Sequence, residues 1–152
     1  MAVLDSYHCT VRPDWIDYNG HLSEAYYVLA FGFATDQVMD ALGLDAAYRS
    51  ETGCSLYTVE AHVRYLDETG DGADLEITTT IIGSGAKKLH LAHEMRSGGS
   101  LIATEELLAL HVDSGTGRTR PFAESTATVI NDHLLLPHGS AAPDWIGRTV
   151  SL

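Results

Sequence analysis

The chain has 152 residues, 45% of them hydrophobic. That is enough to bury one core without disulfides or metals and too little for two ordinary domains. Nine Lys and Arg against 21 Asp and Glu leave a net charge of −12, which argues against nucleic acid and against anionic membrane surfaces as partners. No run reaches the roughly 20 apolar residues of a membrane span. The start, Met1-Ala2-Val3-Leu4-Asp5, lacks the basic and apolar regions of a signal peptide, and Cys9 and Cys54 belong to no CxxC pattern. The expectation is a cytoplasmic protein with reduced thiols.

In chain order, residues 4–12 read as a first strand stopped by Pro13. A loop over 13–22 precedes a long helix, expected from Ser23 as N-cap to Leu42, with Gly43 beyond its end. Val28, Leu29, Gly32, Thr35, Val38, Met39 and Leu42 recur at helical spacing as a candidate buried stripe. Residues 44–51 suit a short helical turn. Four strands follow, over 54–66, 73–83, 87–97 and 100–113, joined by short links containing Gly that suit antiparallel hairpins. In the first of these, Leu56, Thr58, Glu60, His62 and Arg64 alternate with Tyr57, Val59, Ala61, Val63 and Tyr65. Residues 121–135 read as a last helix beginning at Pro121, and 136–152 as an aperiodic, mobile tail. The order is that of an α+β fold in a single domain over 1–152, with a core at about 4–122 and a helix and tail over 123–152. One helix covers only one face of such a sheet, so a second copy is expected, as a homodimer or a tetramer.

The residues with most chemical potential are Asp17-Tyr18-Asn19-Gly20-His21, placed just before the helix. A helix start offers unpaired N–H groups and a positive dipole end, suited to an oxyanion. Asp17 or His21 fits a general base, and Asn19 fits a group that orients water or a carbonyl. The bland alternative is a loop in which Asp17 and Asn19 satisfy local backbone and Gly20 makes a turn. Glu60, set mid-strand between Val59 and Ala61, is either placed for use or part of an ordinary polar face with Thr58, His62 and Arg64. Glu106, and Glu105 beside it, raise the same question. Lys87 and Lys88 follow a glycine turn and suit the phosphates of a ligand or a plain solvated turn; Arg64, Arg96, Arg118 and Arg120 are further candidates. No GxSxG elbow, P-loop or GxGxxG occurs. His90 and His93 fall on opposite faces of a strand, so no metal site is expected, and His62, His111 and His133 read as packing or surface residues.

A strand, Asp17-Tyr18-Asn19-Gly20-His21-Leu22-Ser23, one long helix and four strands together resemble the hot-dog fold thioesterases over about residues 4–122. The resemblance implies a long central helix wrapped by a five-stranded antiparallel sheet. It is similar to the Asp-x-Asn-x-His-Val-Asn segment of plant acyl-ACP thioesterases and the Asp-x-x-Gly-His-Val segment of bacterial acyl-CoA thioesterases. Leu22 and Ser23 depart from those patterns. The spacing differs from the Asp-x-Asn-Pro-x-His of hot-dog hydratases, because here His21 lies four residues after Asp17 and no Pro follows Asn19. The resemblance implies catalytic roles for Asp17, Asn19, His21 and Glu60, and CoA contacts for Lys87 and Lys88, with CoA as part of the substrate and no separate cofactor. Trp15-Ile16-Asp17-Tyr18-Asn19-Gly20-His21, Tyr57-Thr58-Val59-Glu60, Lys88-Leu89-His90-Leu91 and Leu110-His111-Val112-Asp113 further resemble the thioesterases of carnitine catabolism, whose substrate is betainyl-CoA. For such a substrate Trp15, Tyr18, Tyr26 and Tyr57 are the candidate acyl contacts, because a trimethylammonium group is held by aromatic faces and carboxylates, and the N–H groups around Gly20 to Leu22 are the candidates to receive the thioester carbonyl. Tyr27 lies in the same stretch. Rival readings are another short, aliphatic or aromatic acyl-CoA, and an acyl-CoA binding protein without turnover.

Overall fold

The computed structural model describes residues 3–134 and 141–152. Strand β1 (Tyr7–Thr10) leads through a 3-10 turn (Pro13–Trp15) to helix α1 (Glu24–Ala41) and the short helix α2 (Ala46–Thr52). Strands β2 (Cys54–Tyr65), β3 (Asp74–Gly85), β4 (Lys88–Ser97) and β5 (Ser100–Asp113) follow, then the two-residue β6 (Arg118–Thr119) and α3 (Glu124–His133). The pairings between these strands are antiparallel, in the order β1-β3-β4-β5-β2, with β6 extending alongside the end of β5. The five expected strands are present, and β6 is an addition to them. The β4–β5 turn is a two-residue hairpin in which Gly98 and Gly99 both have positive φ, 57° and 81°, the backbone that a tight right-twisted hairpin needs and that side chains disfavour.

Helix α1 begins one residue after Ser23, although the Ser23 hydroxyl makes no capping hydrogen bond. It buries Tyr27, Ala30, Phe31, Ala34, Val38 and Met39 against the sheet. Of the expected stripe, Val28, Leu29 and Gly32 instead face outward. The helix is apolar nearly all round, so its periodicity allowed two stripes, and only packing selects between them. The N-terminal half of α1 packs with Val11, Trp15, Leu75, Ile77 and Met95. Its C-terminal half packs with Leu44, Ile81, Leu89, Leu91, Leu107 and Ile130, the last from α3.

The face of β2 changes along its length. Thr58 pairs with Ala109 and Glu60 with Leu108, leaving Val59 as a bulge between them. Paired residues share a face, so Thr58 turns toward α1 while Glu60, His62 and Arg64 turn to the outer face. Thr58 therefore does not share the face of Glu60, because one extra residue reverses the alternation. Among the described residues β2 pairs only with β5, and its middle is open: Val59 is 53% exposed and Tyr57 44%.

The last described segment, 141–152, is not a free tail. Trp145 is buried against Ile82 and Ala92 on the outer face of the sheet, with Ala142 and Ile146 packed beside it. Its indole Nε1 donates to Glu94 Oε1 at 3.1 Å, and the Gly147 N–H donates to Glu106 Oε2 at 2.7 Å. Residues 135–140, the end of the expected helix and the start of the expected tail, lie outside the described residues. Phe31, fully buried at the centre of α1 and stacked on His93 with ring centroids 5.8 Å apart, is the packing keystone of this layer. Phe31→Ala is expected to lower unfolding free energy by about 3–5 kcal/mol, measured by urea denaturation.

Candidate active site

The loop before α1 is shaped by its own backbone. Asp17 and His21 close it through Asp17 N–H to His21 C=O at 3.0 Å, and Gly20 N–H donates to Asp17 C=O at 3.0 Å. Gly20 sits at φ 79°, which a side chain disfavours. The Leu22 N–H is tied to Thr69 C=O at 2.8 Å and the Ser23 N–H to Trp15 C=O at 2.9 Å, locking the loop to the β2–β3 connection and to the 3-10 turn. Within 20–22, only the His21 N–H has no hydrogen-bond partner among the described residues.

This scaffold gathers Asp17, Asn19 and His21 in one cleft of about 630 Å³ with Leu22, Glu24, Tyr27, Tyr65, Asp67 and Glu68. Asp17 Oδ1 accepts from the Asn19 N–H at 2.9 Å, which fixes one carboxylate oxygen and leaves the other for chemistry. His21 Nδ1 lies 3.3 Å from Glu68 Oε2. A proton on Nδ1 satisfies that contact and leaves Nε2 with its lone pair. Tyr27 and Tyr65 meet edge to face, centroids 5.2 Å apart, and the Tyr27 hydroxyl donates to Asp67 C=O at 3.0 Å. Burial, reinforced by Asp67 and Glu68, pushes the Tyr27 hydroxyl up. Burial, with Glu24 and Glu105, does the same to Tyr65. Among the described residues the cleft wall thus carries four carboxylates, two phenols and no Lys or Arg.

The other sequence candidates fall elsewhere. Trp15 and Tyr26 stack on each other at 5.7 Å and belong to the core around α1 rather than to the cleft. Tyr18 projects from the loop tip, 97% exposed. Tyr57 lies on the open edge strand. Glu60 lines a second cleft, of about 620 Å³, on the outer face of the sheet with His62, Lys88, His90 and Glu106, and Lys87 is exposed in the preceding turn. Within one chain, then, Asp17, Asn19 and His21 come together and Glu60 does not join them. Glu68 and Tyr65 were not singled out in the sequence as site residues. Glu68 sits in an ordinary polar connection that carries no motif, and Tyr65 looked like one more strand aromatic.

Glu105 and Glu106 divide as neighbours on a strand must: Glu106 meets His90 Nε2 at 2.8 Å on the outer face, and Glu105 points inward. There Glu105 lies 4.0 Å from His93, which is fully buried and bridges Thr35 at 2.9 Å and Thr79 at 2.8 Å. Burial lowers His93 to about 4 and raises Glu105 to about 7, so both groups resist charging. Among the described residues no group of three His, Cys, Asp or Glu side chains is arranged to hold a metal. Among the described residues no helix is long and apolar enough to cross a membrane.

Residues 11–130 match the model of the thioesterase-like superfamily. A betainyl-CoA thioesterase of Pseudomonas aeruginosa is 39% identical over 99% of this chain and 96% of its own length. An L-carnitine dehydrogenase/betainyl-CoA thioesterase of Agrobacterium fabrum is 39% identical over 92% of this chain, which corresponds to 29% of that longer protein. Among solved structures, a putative thioesterase of Pseudomonas putida has a TM-score of 0.84 at 39% identity, covering all of this chain and 98% of its own. A Staphylococcus aureus protein solved in complex with CoA has a TM-score of 0.89 at 25% identity, covering 99% of this chain and 96% of its own.

The buried pair gives opposite pH signatures. Between about pH 4 and 6.5 the unfolded chain protonates His93 and the folded one does not, so this group makes stability rise with pH. Between the ordinary carboxylate pKa of 4.5 and about 7, the folded chain keeps the Glu105 proton that the unfolded one loses, so this group makes stability fall with pH. Urea denaturation across pH 4.5–6.5 should therefore show a steeper rise in Glu105→Gln than in the parent, and a shift toward a fall in His93→Gln.

Proposed function

This chain belongs to the thioesterase-like superfamily, and we propose that it hydrolyses betainyl-CoA to glycine betaine and CoA. The observation that carries the proposal is a cleft wall suited to the cationic acyl group, in a chain similar over both full lengths to a protein named for that substrate. A trimethylammonium group donates no hydrogen bond and is held by aromatic faces and negative charge. Tyr27, Tyr65, Glu24, Asp67 and Glu68 supply both, and no fixed cation in the wall opposes them. Asp67 and Glu68 take up the part first assigned to Trp15 and Tyr26, which are spent on packing.

In the mechanism proposed, the thioester carbonyl accepts from the unpartnered His21 N–H beside the start of α1, where the helix dipole favours the developing oxyanion. The N–H groups of Gly20 and Leu22, also candidates, are already bonded to backbone. Asp17 attacks the carbonyl or removes a proton from the attacking water. His21, oriented by Glu68, moves the proton through Nε2 to the departing thiolate. Collapse of the tetrahedral species breaks the C–S bond and releases the CoA thiol; where water attacked, the acid is formed in the same step, and where Asp17 attacked, a water then hydrolyses the acyl–Asp17 anhydride, freeing the acid and restoring the carboxylate. Asn19 positions the water or the carbonyl.

The active unit proposed is a homodimer joined through β2. That strand is long, has one neighbour, and exposes Tyr57 and Val59 at its centre, an arrangement that invites pairing with a second copy. Glu60, which does not reach Asp17 in its own chain, then stands at the interface, where it can complete the site of the second copy. Metabolite chemistry of this kind and the reduced thiols of Cys9 and Cys54 favour a cytoplasmic location.

Asp17→Asn should lower the rate of thiol release by about 10²–10⁴-fold with the fold intact by circular dichroism; near-parental turnover would remove Asp17 from the mechanism. The substrate is tested with 3,3-dimethylbutyryl-CoA, in which a neutral carbon replaces the ammonium nitrogen at almost unchanged shape. The parent should prefer betainyl-CoA in kcat/KM, and Glu68→Gln or Tyr65→Leu should reduce that preference. Equal use of the two thioesters by the parent would keep the hydrolase and discard betaine.

A further inference from the structure

The outer-face cleft is closed on one side by the C-terminal segment. Gly147, Arg148 and Thr149 line it together with Glu60, Ala61, His62, Lys88 and His90. The segment is held there by two anchors already described, the Trp145 indole on Glu94 and the Gly147 N–H on Glu106. Glu106 is fully engaged in this, one oxygen with Gly147 and the other with His90 at 2.8 Å.

Cations are scarce in a chain of net −12 with nine Lys and Arg. Arg12, Arg96 and Arg120 are held by Asp14, Glu94 and Asp113. Among the described residues the other six pair with no carboxylate. Two of these six, Lys88 and Arg148, come together in this one cleft, although Glu60 and Glu106 line it too. Lys88 enters from β4, two strands away from Glu60 on β2, which at the usual strand spacing is about 10 Å. An anion held on Lys88 therefore stands clear of the Glu60 carboxylate.

From this we infer that the C-terminal segment forms one wall of the site for the phosphate-bearing nucleotide end of the thioester, with Arg148 as a phosphate ligand acting together with Lys88. The guanidinium fork matches two oxygens of a phosphate, and Lys88 supplies a point charge. Glu106, by fixing Gly147, positions Arg148. The inference rests on the reading of the substrate as a CoA thioester.

The test compares two thioesters of the same acid in the full chain: the CoA ester and the pantetheine ester, which lacks every phosphate. The ratio of kcat/KM for the CoA ester over the pantetheine ester should fall about tenfold in Arg148→Ala, and further in Arg148→Glu. A ratio equal to the parent's in both variants overturns the inference, because a structural role would affect the two esters alike. If the parent hydrolyses neither ester, the thioesterase reading fails by itself. Titration calorimetry with CoA then decides: affinity about tenfold weaker in Arg148→Ala upholds the nucleotide site, and unchanged affinity or no binding by the parent overturns it.

Discussion

The rest of the structure depends on how one helix and one sheet share their faces. α1 covers the inner face with Phe31, Ala34, Val38 and Met39, and that contact builds both halves of the core. It leaves two surfaces unmet by the helix. The outer face is partly taken by the C-terminal segment, pinned by Trp145. The edge at β2 is paired with nothing among the described residues, and the bulge at Val59 turns Glu60, His62 and Arg64 away from the helix side. The Asp17 loop sits where α1 starts and β2 ends, so the open edge and the candidate catalytic groups are neighbours.

Charge follows the same division. The cleft beside Asp17 is anionic and aromatic, while the outer-face cleft holds the unpaired cations Lys88 and Arg148. A substrate with a cationic acyl head and a polyanionic tail complements that separation, whereas a neutral acyl group would use only half of it. Between the two clefts lie His93 and Glu105, buried under the helix and both held toward their neutral forms. His93 thus stays neutral at ordinary pH, and Glu105 takes up its charge only as the pH rises through about 7.

Much of this was legible in residue order. Short Gly-containing links set the antiparallel neighbours, Ser23 and Gly43 framed α1, and the Asp17–His21 motif placed the loop. What escaped was set by packing at long range. Val28 and Leu29 match a buried stripe as well as Tyr27 and Phe31 do, and only the position of the sheet decides between them. The Val59 bulge leaves no mark in an alternating strand. Trp15 and Tyr26 were candidates for a ligand cage and are stacked on each other instead. Glu68 and Arg148 carry no local pattern, and each gains its place from an element distant in sequence. Trp145 lies in an aperiodic stretch, yet it anchors the segment that closes the outer cleft.

In the proposed mechanism the carboxylates of Asp17 and Glu60 act together only across two copies of the chain. This is tested by mixing the inactive variants Asp17→Asn and Glu60→Gln, after unfolding and refolding together, and measuring thiol release from the CoA thioester. A mixed dimer contains one site with both carboxylates intact, so activity should recover to about a quarter of the parent's, well above the sum of the two variants alone. No recovery, with mixed dimers shown to have formed, would contradict the account and leave the chemistry within a single chain.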